Sequence, residues 1–111
     1  MSDMIEQAAA LLDRAAHKAQ AVEQFAPGSF DLAEAYRIQR AAIQHRVARG
    51  DMVRGIKLGF TSRAKMVQMS VHDLIWGWLT ESMLEEEGGT VDLARYIHPR
   101  VEPEVCFLTR R

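Results

Sequence analysis

Cysteine is almost absent from this 111-residue sequence: it has one, Cys106, so no disulfide can form within the chain. Such cysteine usage indicates a reducing compartment. The net charge is only −1, and without a strong positive field we expect neither nucleic acid nor an anionic membrane as a partner. The apolar run near the start, Ala8 to Leu12, is too short for a signal-peptide core or a membrane span. We therefore predict a cytoplasmic protein.

Several common site motifs are missing as well. His72 and His98 are not spaced as a metal pair and Cys106 has no cysteine partner, which argues against a zinc site. The sequence has no Gly-x-Ser-x-Gly elbow, phosphate loop or dinucleotide fingerprint. What is present, 48% hydrophobic and 26% charged residues, is typical of one globular domain.

The first half of the chain carries helical spacing. One helix is predicted over Ser2–Gln20 with an alanine-rich stripe, and a proline–glycine break follows at 26–29. Asp31 and Glu34 resemble a capping box for a second helix, which we expect to stop at Gly50. The apolar face of that helix is predicted to carry Leu32, Ala35, Tyr36, Ile43 and Val47. Gln39 lies on the same stripe, and we interpret it as a satisfied buried amide rather than a ligand contact.

The second half changes to short, β-branched and glycine-punctuated stretches. Strands are predicted at Met52–Phe60 and Leu79–Glu87, with a glycine turn at 88–89. Thr61 and Ser62 are expected to cap a short helix, Arg63–Met69. Helices followed by strands indicate an α+β fold, with a helical region at 1–50 and the start of a mixed, β-rich core, incomplete in this chain, at 51–111.

In the segment 98–109, near the end of the sequence, apolar and charged residues alternate as they would in a strand. Arg100, Glu102 and Glu104 then share one face, with the two glutamates roughly 6–7 Å apart along the backbone. Like charges so close need a positive partner. That partner is either a hard divalent cation or, more simply, Arg100 in a surface ion pair.

Lys57 lies between apolar neighbours in a strand expected to be buried. Such a lysine either reaches an edge with its charged end or binds an anion. Gly55 and Gly59 flank it and would let a ligand approach the backbone. Thr61 and Ser62 add two hydroxyls at a helix start, where carboxylates bind well.

Two motifs together carry a resemblance to a known family. Gly55-Ile-Lys-Leu-Gly-Phe-Thr-Ser62 and Pro99-Arg-Val-Glu-Pro-Glu-Val-Cys-Phe107, with Gly77-x-Leu79 between them, resemble the 2-keto-4-pentenoate hydratase and 4-oxalocrotonate decarboxylase family, part of the fumarylacetoacetate hydrolase superfamily. The segment Ala35–Gln39 also matches. The resemblance covers roughly residues 30–109 and fits the N-terminal part of the family.

The resemblance implies a metal-dependent lyase of aromatic meta-cleavage degradation, acting on a small 2-oxo acid with Mg²⁺ or Mn²⁺. By position, Glu102 and Glu104 match the metal-binding Glu-x-Glu, and Lys57 matches the catalytic lysine, which with Thr61 and Ser62 would also bind substrate. Residues 51–111 would then begin the catalytic domain. A homo-oligomer is expected, with a complex between hydratase and decarboxylase as a further partner.

The helix around Ala64–Val71 looks more like the decarboxylase branch than the glutamine-rich hydratase helix. The implied reaction is decarboxylation of 2-oxohex-3-enedioate to 2-hydroxypenta-2,4-dienoate, and the alternative is hydration of that dienoate. Ser70 and the pair Trp76 and Trp78 depart from the family pattern, which leaves the substrate open.

Length separates this chain from the family, whose members are more than twice as long and place the third metal carboxylate after the Glu-x-Glu. We therefore expect the 111 residues alone to bind divalent metal weakly, to show no turnover and to self-associate. A hypothesis of another class is a truncated, non-catalytic module that binds a full-length relative or forms an oligomer.

Overall fold

The structure is a computed structural model that describes residues 2–59, 62–68 and 73–110. Its elements, in chain order, are α1 (Ser2–Lys18), α2 (Leu32–Ala48), β1 (Val53–Gly59), α3 (Arg63–Gln68) and β2 (Ile75–Thr80), then single 3₁₀ turns at Glu81–Met83 and Leu93–Arg95. The two strands form an antiparallel sheet. Two helices followed by a small sheet confirm the predicted α+β class. Within the described ranges, no helix is long and apolar enough to cross a membrane.

Local signals set the ends of both long helices. Ala19 adopts a left-handed φ of 52° after α1, and the Gln20 N–H donates to the Ala15 carbonyl at 2.9 Å, which closes the last turn. At the start of α2 the Glu34 N–H donates to the Asp31 carboxylate at 2.7 Å, and the Asp31 N–H donates to the Glu34 carboxylate at 2.9 Å. The predicted capping box is therefore confirmed.

The core lies between α1 and α2, where Ala8, Ala9 and Ile38 are buried. Small alanines let the helix backbones approach closely, so little apolar area fills the interface. The side chains packed around this core are Ile5, Leu12, Phe30, Ala41 and Ala42. The predicted apolar face of α2 was partly wrong, since it omitted Ile38, and Leu32 is 68% exposed. The reason is that α2 contacts both α1 and β2 and so has no single buried stripe.

The β1–β2 pairing contains one irregularity that sets which residues face each other. Val53 pairs with Thr80, but the next pair is Gly55 with Leu79, so Arg54 is an extra residue in a bulge. Beyond the bulge, Lys57 pairs with Gly77. Paired residues share a face. One face therefore carries Gly55, Lys57 and Gly59 of β1 with Ile75, Gly77 and Leu79 of β2, and the opposite face carries Ile56, Leu58, Trp76 and Trp78.

Two predicted strands are corrected. The strand expected at Leu79–Glu87 is wrong, because β2 ends at Thr80 and the chain then turns through Glu81–Met83. Residues 99–110 are not a strand either: they have no regular structure, and Val101, Phe107 and Leu108 are 97%, 84% and 97% exposed. Alternation alone makes no strand without a neighbour to pair with, and none of the described residues pairs with this segment.

Candidate functional site

Lys57 lies near the middle of β1, and its nearest neighbours on the same face, along the strand and directly across it, are glycines. Gly55 and Gly59 precede and follow it by two residues, and Gly77 lies across the sheet. We call Gly55, Lys57, Gly59, Ile75, Gly77 and Leu79 the lysine face, on which the Ile75 side chain lies against Gly59. Lys57 is exposed, and so are Ile56 and Leu58 on the opposite face, so the predicted burial of this strand is wrong. Gly77 directly opposite Lys57 leaves room beside the lysine stem, and an exposed ammonium group suits a small anion.

Ser62 lies at the start of α3, as predicted. Its hydroxyl oxygen accepts from the Lys65 N–H at 3.1 Å, and the Met66 N–H donates to its carbonyl at 3.1 Å, which confirms its capping role. Its own hydroxyl proton remains available as a donor. Thr61, predicted beside it, lies outside the described residues.

Glu102 and Glu104 are both exposed in the segment 99–110. Their carboxylates are hard oxygen donors of the kind that Mg²⁺ and Ca²⁺ take. Among residues 2–59, 62–68 and 73–110, no three His, Cys, Asp or Glu side chains lie close enough together to hold a metal ion. The donor type therefore fits a divalent cation, but the described residues bring together no third ligand.

Two side chains of α2 hold the outer edge of β2. The Gln39 side-chain amide donates to the Trp76 carbonyl at 3.1 Å and accepts from the Trp78 N–H at 3.1 Å. The Tyr36 hydroxyl accepts from the Trp76 N–H at 3.4 Å, and the Tyr36 ring stacks on Trp76 with ring centroids 5.1 Å apart. The interpretation of Gln39 as a satisfied amide is confirmed, although the residue is only half-buried.

Asp51 forms a second junction, between α2 and the end of β2. Its carboxylate accepts from the Ser82 hydroxyl at 2.6 Å, the Ser82 N–H at 2.9 Å, the Thr80 hydroxyl at 2.9 Å and the Arg46 guanidinium at 3.3 Å. Four donors favour the ionised form. The hydrogen bond from Ser82 is the largest of the causes that lower the pKa of Asp51 to about 2.

Acid should weaken this junction. Because the folded pKa of Asp51 lies below its ordinary value of 3.8, its contribution to stability is complete above about pH 4 and is lost as the pH falls toward 2. We expect the free energy of unfolding from urea titrations to decrease over that interval. Asp51→Asn should flatten the decrease, whereas Asp3→Asn, an exposed site at the start of α1, should not. Equal slopes in wild type and Asp51→Asn would contradict the assignment.

A cleft of about 900 Å³ opens beside this junction, between the ends of α1 and α2 and the segment after β2. The charged side chains on its walls are His17, Lys18, Arg46, Arg49, Asp51, Glu81 and Arg95. Several are already paired: Arg49 binds Asp13 through two hydrogen bonds of 2.7 and 2.8 Å, and these are the main reason that the pKa of Asp13 is lowered. Lys57 does not line this cleft. The cleft and the lysine face are therefore separate places in the fold.

The sequence did not predict the Asp51 junction. Asp51 follows a helix-ending glycine, where an aspartate is usually a solvated loop residue. Its partners Thr80 and Ser82 lie 29 and 31 positions away. Only a correct placement of β2 would have brought them together.

Comparison with known proteins identifies relatives of this chain. No protein-family model matches the chain. A 4-oxalocrotonate decarboxylase of Pseudomonas sp. is 53% identical over 105 residues, which are 94% of this chain and 41% of the relative. A 2-hydroxypent-2,4-dienoate hydratase of Pseudomonas putida is 33% identical over 85 residues, 74% of this chain and 38% of the relative. The chain thus spans less than half the length of these curated relatives.

A solved structure agrees with the sequence relatives. The 4-oxalocrotonate decarboxylase of Pseudomonas putida G7, complexed with calcium and acetate, superposes with a TM-score of 0.84 at 29% identity, over 88% of this chain and 39% of that one. The same enzyme complexed with magnesium and adipate gives a TM-score of 0.70 at 27% identity, over 74% and 32%. The chain is therefore a homologue, over a partial region, of the 4-oxalocrotonate decarboxylases and 2-hydroxypentadienoate hydratases, as its motifs indicated.

Proposed function

We propose that this chain carries part of the active site of a divalent-metal lyase that decarboxylates 2-oxohex-3-enedioate (4-oxalocrotonate) to 2-hydroxypenta-2,4-dienoate. The observation that supports it most is the 53% identity to a 4-oxalocrotonate decarboxylase over 94% of the chain. Residues 51–111 supply the catalytic part. The related solved structure holds adipate, a six-carbon dicarboxylate of the same length as this substrate.

Glu102 and Glu104 are the proposed metal ligands. Their oxygen donors suit Mg²⁺ or Mn²⁺, and the related solved structures are complexed with magnesium and calcium. The described residues bring no third His, Cys, Asp or Glu side chain to Glu102 and Glu104, so water, substrate or residues outside the described ones would fill the remaining coordination positions. When bound, a divalent cation polarises the 2-oxo group as a Lewis acid.

Lys57 is the proposed catalytic residue. When the bond to the distal carboxylate breaks and CO₂ leaves, its electron pair moves through the conjugated chain to the 2-oxo oxygen, which then takes up a proton. An ammonium group beside that oxygen holds the developing charge or delivers the proton. The exposure of Lys57 supports this role, since its ammonium group is open to a ligand and Gly77 opposite it adds no side chain that would block the approach.

Thr61 and Ser62 are proposed to bind a substrate carboxylate together with Lys57. Ser62 uses its oxygen as a helix cap and keeps its hydroxyl proton as a donor. A carboxylate accepts such a donor readily. The expected homo-oligomer, the complex with a partner enzyme and the cytoplasmic location stay predictions.

The test is a chimera in which this chain replaces the matching region of the 53% identical Pseudomonas decarboxylase. We expect the chimera to release CO₂ from 2-oxohex-3-enedioate when Mg²⁺ is present and to stop when the metal is chelated. The isolated 111-residue chain should show no turnover. A folded chimera that binds Mg²⁺ and leaves the substrate unchanged would contradict the proposal.

Hydration is the second candidate, because hydratases are also among the relatives, at 33% and 38% identity. The same chimera, given 2-hydroxypenta-2,4-dienoate, would then form 4-hydroxy-2-oxopentanoate. Comparing kcat/KM for the two substrates separates the activities within one protein preparation.

A non-catalytic interaction module is the candidate from another class. The observation that favours it is the exposed apolar side chains of the segment 99–110, among them Val101, Phe107 and Leu108. Such a module would make the isolated chain elute as an oligomer or join a full-length relative on a sizing column. It would also leave the chimera inactive.

A further inference from the structure

Among the described residues no third strand pairs with the outer edge of β2, and side chains of α2 bond to that edge instead. In an antiparallel pair, alternate residues direct their N–H and C=O groups toward the neighbouring strand or away from it. Trp76 and Trp78 direct theirs away from β1, and Tyr36 and Gln39 of α2 receive them. The single side-chain amide of Gln39 bonds both to the Trp76 carbonyl and to the Trp78 N–H. It therefore fixes the backbone on both sides of Gly77.

Gly77 connects the contact between Gln39 and the β2 backbone to Lys57. It is the residue between the two tryptophans and the cross-strand partner of Lys57. A Cβ built on Gly77 would lie 3.8 Å from Gln39 Oε1 and 3.8 Å from Lys57 Cγ. The Gln39 amide and the Lys57 stem thus border the same small space, on either side of a residue that has no side chain of its own.

From this geometry we infer that Gln39 is a positioning residue for Lys57, an inference that rests on the proposed function. Glycine gives its strand little rigidity of its own. The bidentate amide supplies that rigidity from α2, the helix that forms the core with α1. Without it, Gly77 and the opposing part of β1 gain freedom, and the ammonium group of Lys57 is held less well at the reacting oxygen.

A purely structural role for Gln39 makes a different prediction. If the amide only attaches the helices to the sheet, its loss should reduce activity by the same factor whether or not Lys57 is present. If it acts through Lys57, the loss should matter only while the lysine is there. A double-mutant cycle measures this difference directly.

The experiment uses the chimera with Gln39→Met, Lys57→Met and the double variant. Methionine keeps the length of the side chain and favours a helix. We expect Gln39→Met to lower kcat about tenfold, since small misplacements of a catalytic group cost up to about 100-fold. In the Lys57→Met background the same change should have almost no effect. Gln44→Met is the matched control, because Gln44 is an exposed glutamine of the same helix, and it should leave kcat unchanged.

Gln39→Glu is a second, more conservative variant that keeps the inference testable if Gln39→Met does not fold. It keeps the shape and the acceptor for the Trp78 N–H but loses the donor to the Trp76 carbonyl, so kcat should fall between those of wild type and Gln39→Met. Amide exchange at Trp78 should quicken in Gln39→Met in both backgrounds, which shows that the contact is lost in each.

Three results would overturn the inference. Equal losses in the two backgrounds would make Gln39 structural and leave the proposed function standing. An unchanged kcat in both Gln39 variants, with faster exchange at Trp78, would show that Lys57 needs no such support. A chimera without any decarboxylation would remove the proposed function, and the positioning role with it.

Discussion

Replacing Lys57 with methionine is expected to lower kcat/KM of the chimera about 100-fold or more, since general acid–base catalysis contributes about 10²–10⁴-fold. Methionine keeps an unbranched apolar stem and removes the charge. Lys57 is exposed on a two-stranded sheet, so its replacement should leave the midpoint of thermal unfolding almost unchanged. Steady-state kinetics and a thermal melt of the same sample measure both expectations.

Arg54→Met is the control for that experiment. Arg54 belongs to the same strand and also ends in an exposed cation, but it lies in the bulge and bonds to Glu81 at 3.2 Å. Its removal should leave kcat/KM within about twofold, since exposed ion pairs contribute little. Equal losses in both variants would mean that positive charge on β1 matters in general. A Lys57→Met variant that unfolds yet stays active per folded molecule would make Lys57 structural.

Changing Glu102 and Glu104 together to glutamine is expected to abolish Mg²⁺-dependent turnover of the chimera. Glutamine preserves shape but removes the two negative charges that attract a hard cation. Both residues are exposed in a segment without regular structure, so the fold of the described helices and sheet should be unaffected. Calorimetric titration with Mg²⁺ should show affinity reduced at least about tenfold, the scale on which changes around metal ligands act.

The pair Glu86 and Glu87 provides a control with the same loss of charge. Both are exposed beside the glycine turn at 88–89, and Glu86→Gln with Glu87→Gln should leave Mg²⁺ affinity and turnover unchanged. If the double variant at Glu102 and Glu104 keeps the Mg²⁺ affinity of wild type, these residues are not metal ligands. Affinity that falls equally in both double variants would reveal only a general effect of net charge.

Short-range signals in this sequence predicted the structure well. The capping box of Asp31 and Glu34, the helix end before Gly50 and the cap at Ser62 each depend on contacts within a few residues. Contacts between residues that lie five or fewer positions apart follow directly from the types of those residues. The first strand was found for the same reason, since Met52–Phe60 is a short, largely apolar stretch punctuated by Gly55 and Gly59.

Features that depend on distant partners were missed. β2 was placed too late because Trp76-Gly-Trp78 carries no clean alternation, and its pairing with β1 decides its position. The strand predicted at 98–109 was wrong because a strand pattern needs a partner to pair with. The exposure of Lys57 was missed for a related reason: burial of a strand depends on what covers the sheet.

The bulge at Arg54 sets the register that places Lys57 opposite Gly77. If the strands paired regularly from Val53 and Thr80 onward, without the extra residue in a bulge, Lys57 would pair with Trp76 instead of Gly77. A shift of one residue moves every later side chain of the strand to the opposite face. Related sequences should therefore vary freely in the residue type at position 54 and tolerate its deletion, which keeps Lys57 opposite Gly77, whereas an insertion there should be rare.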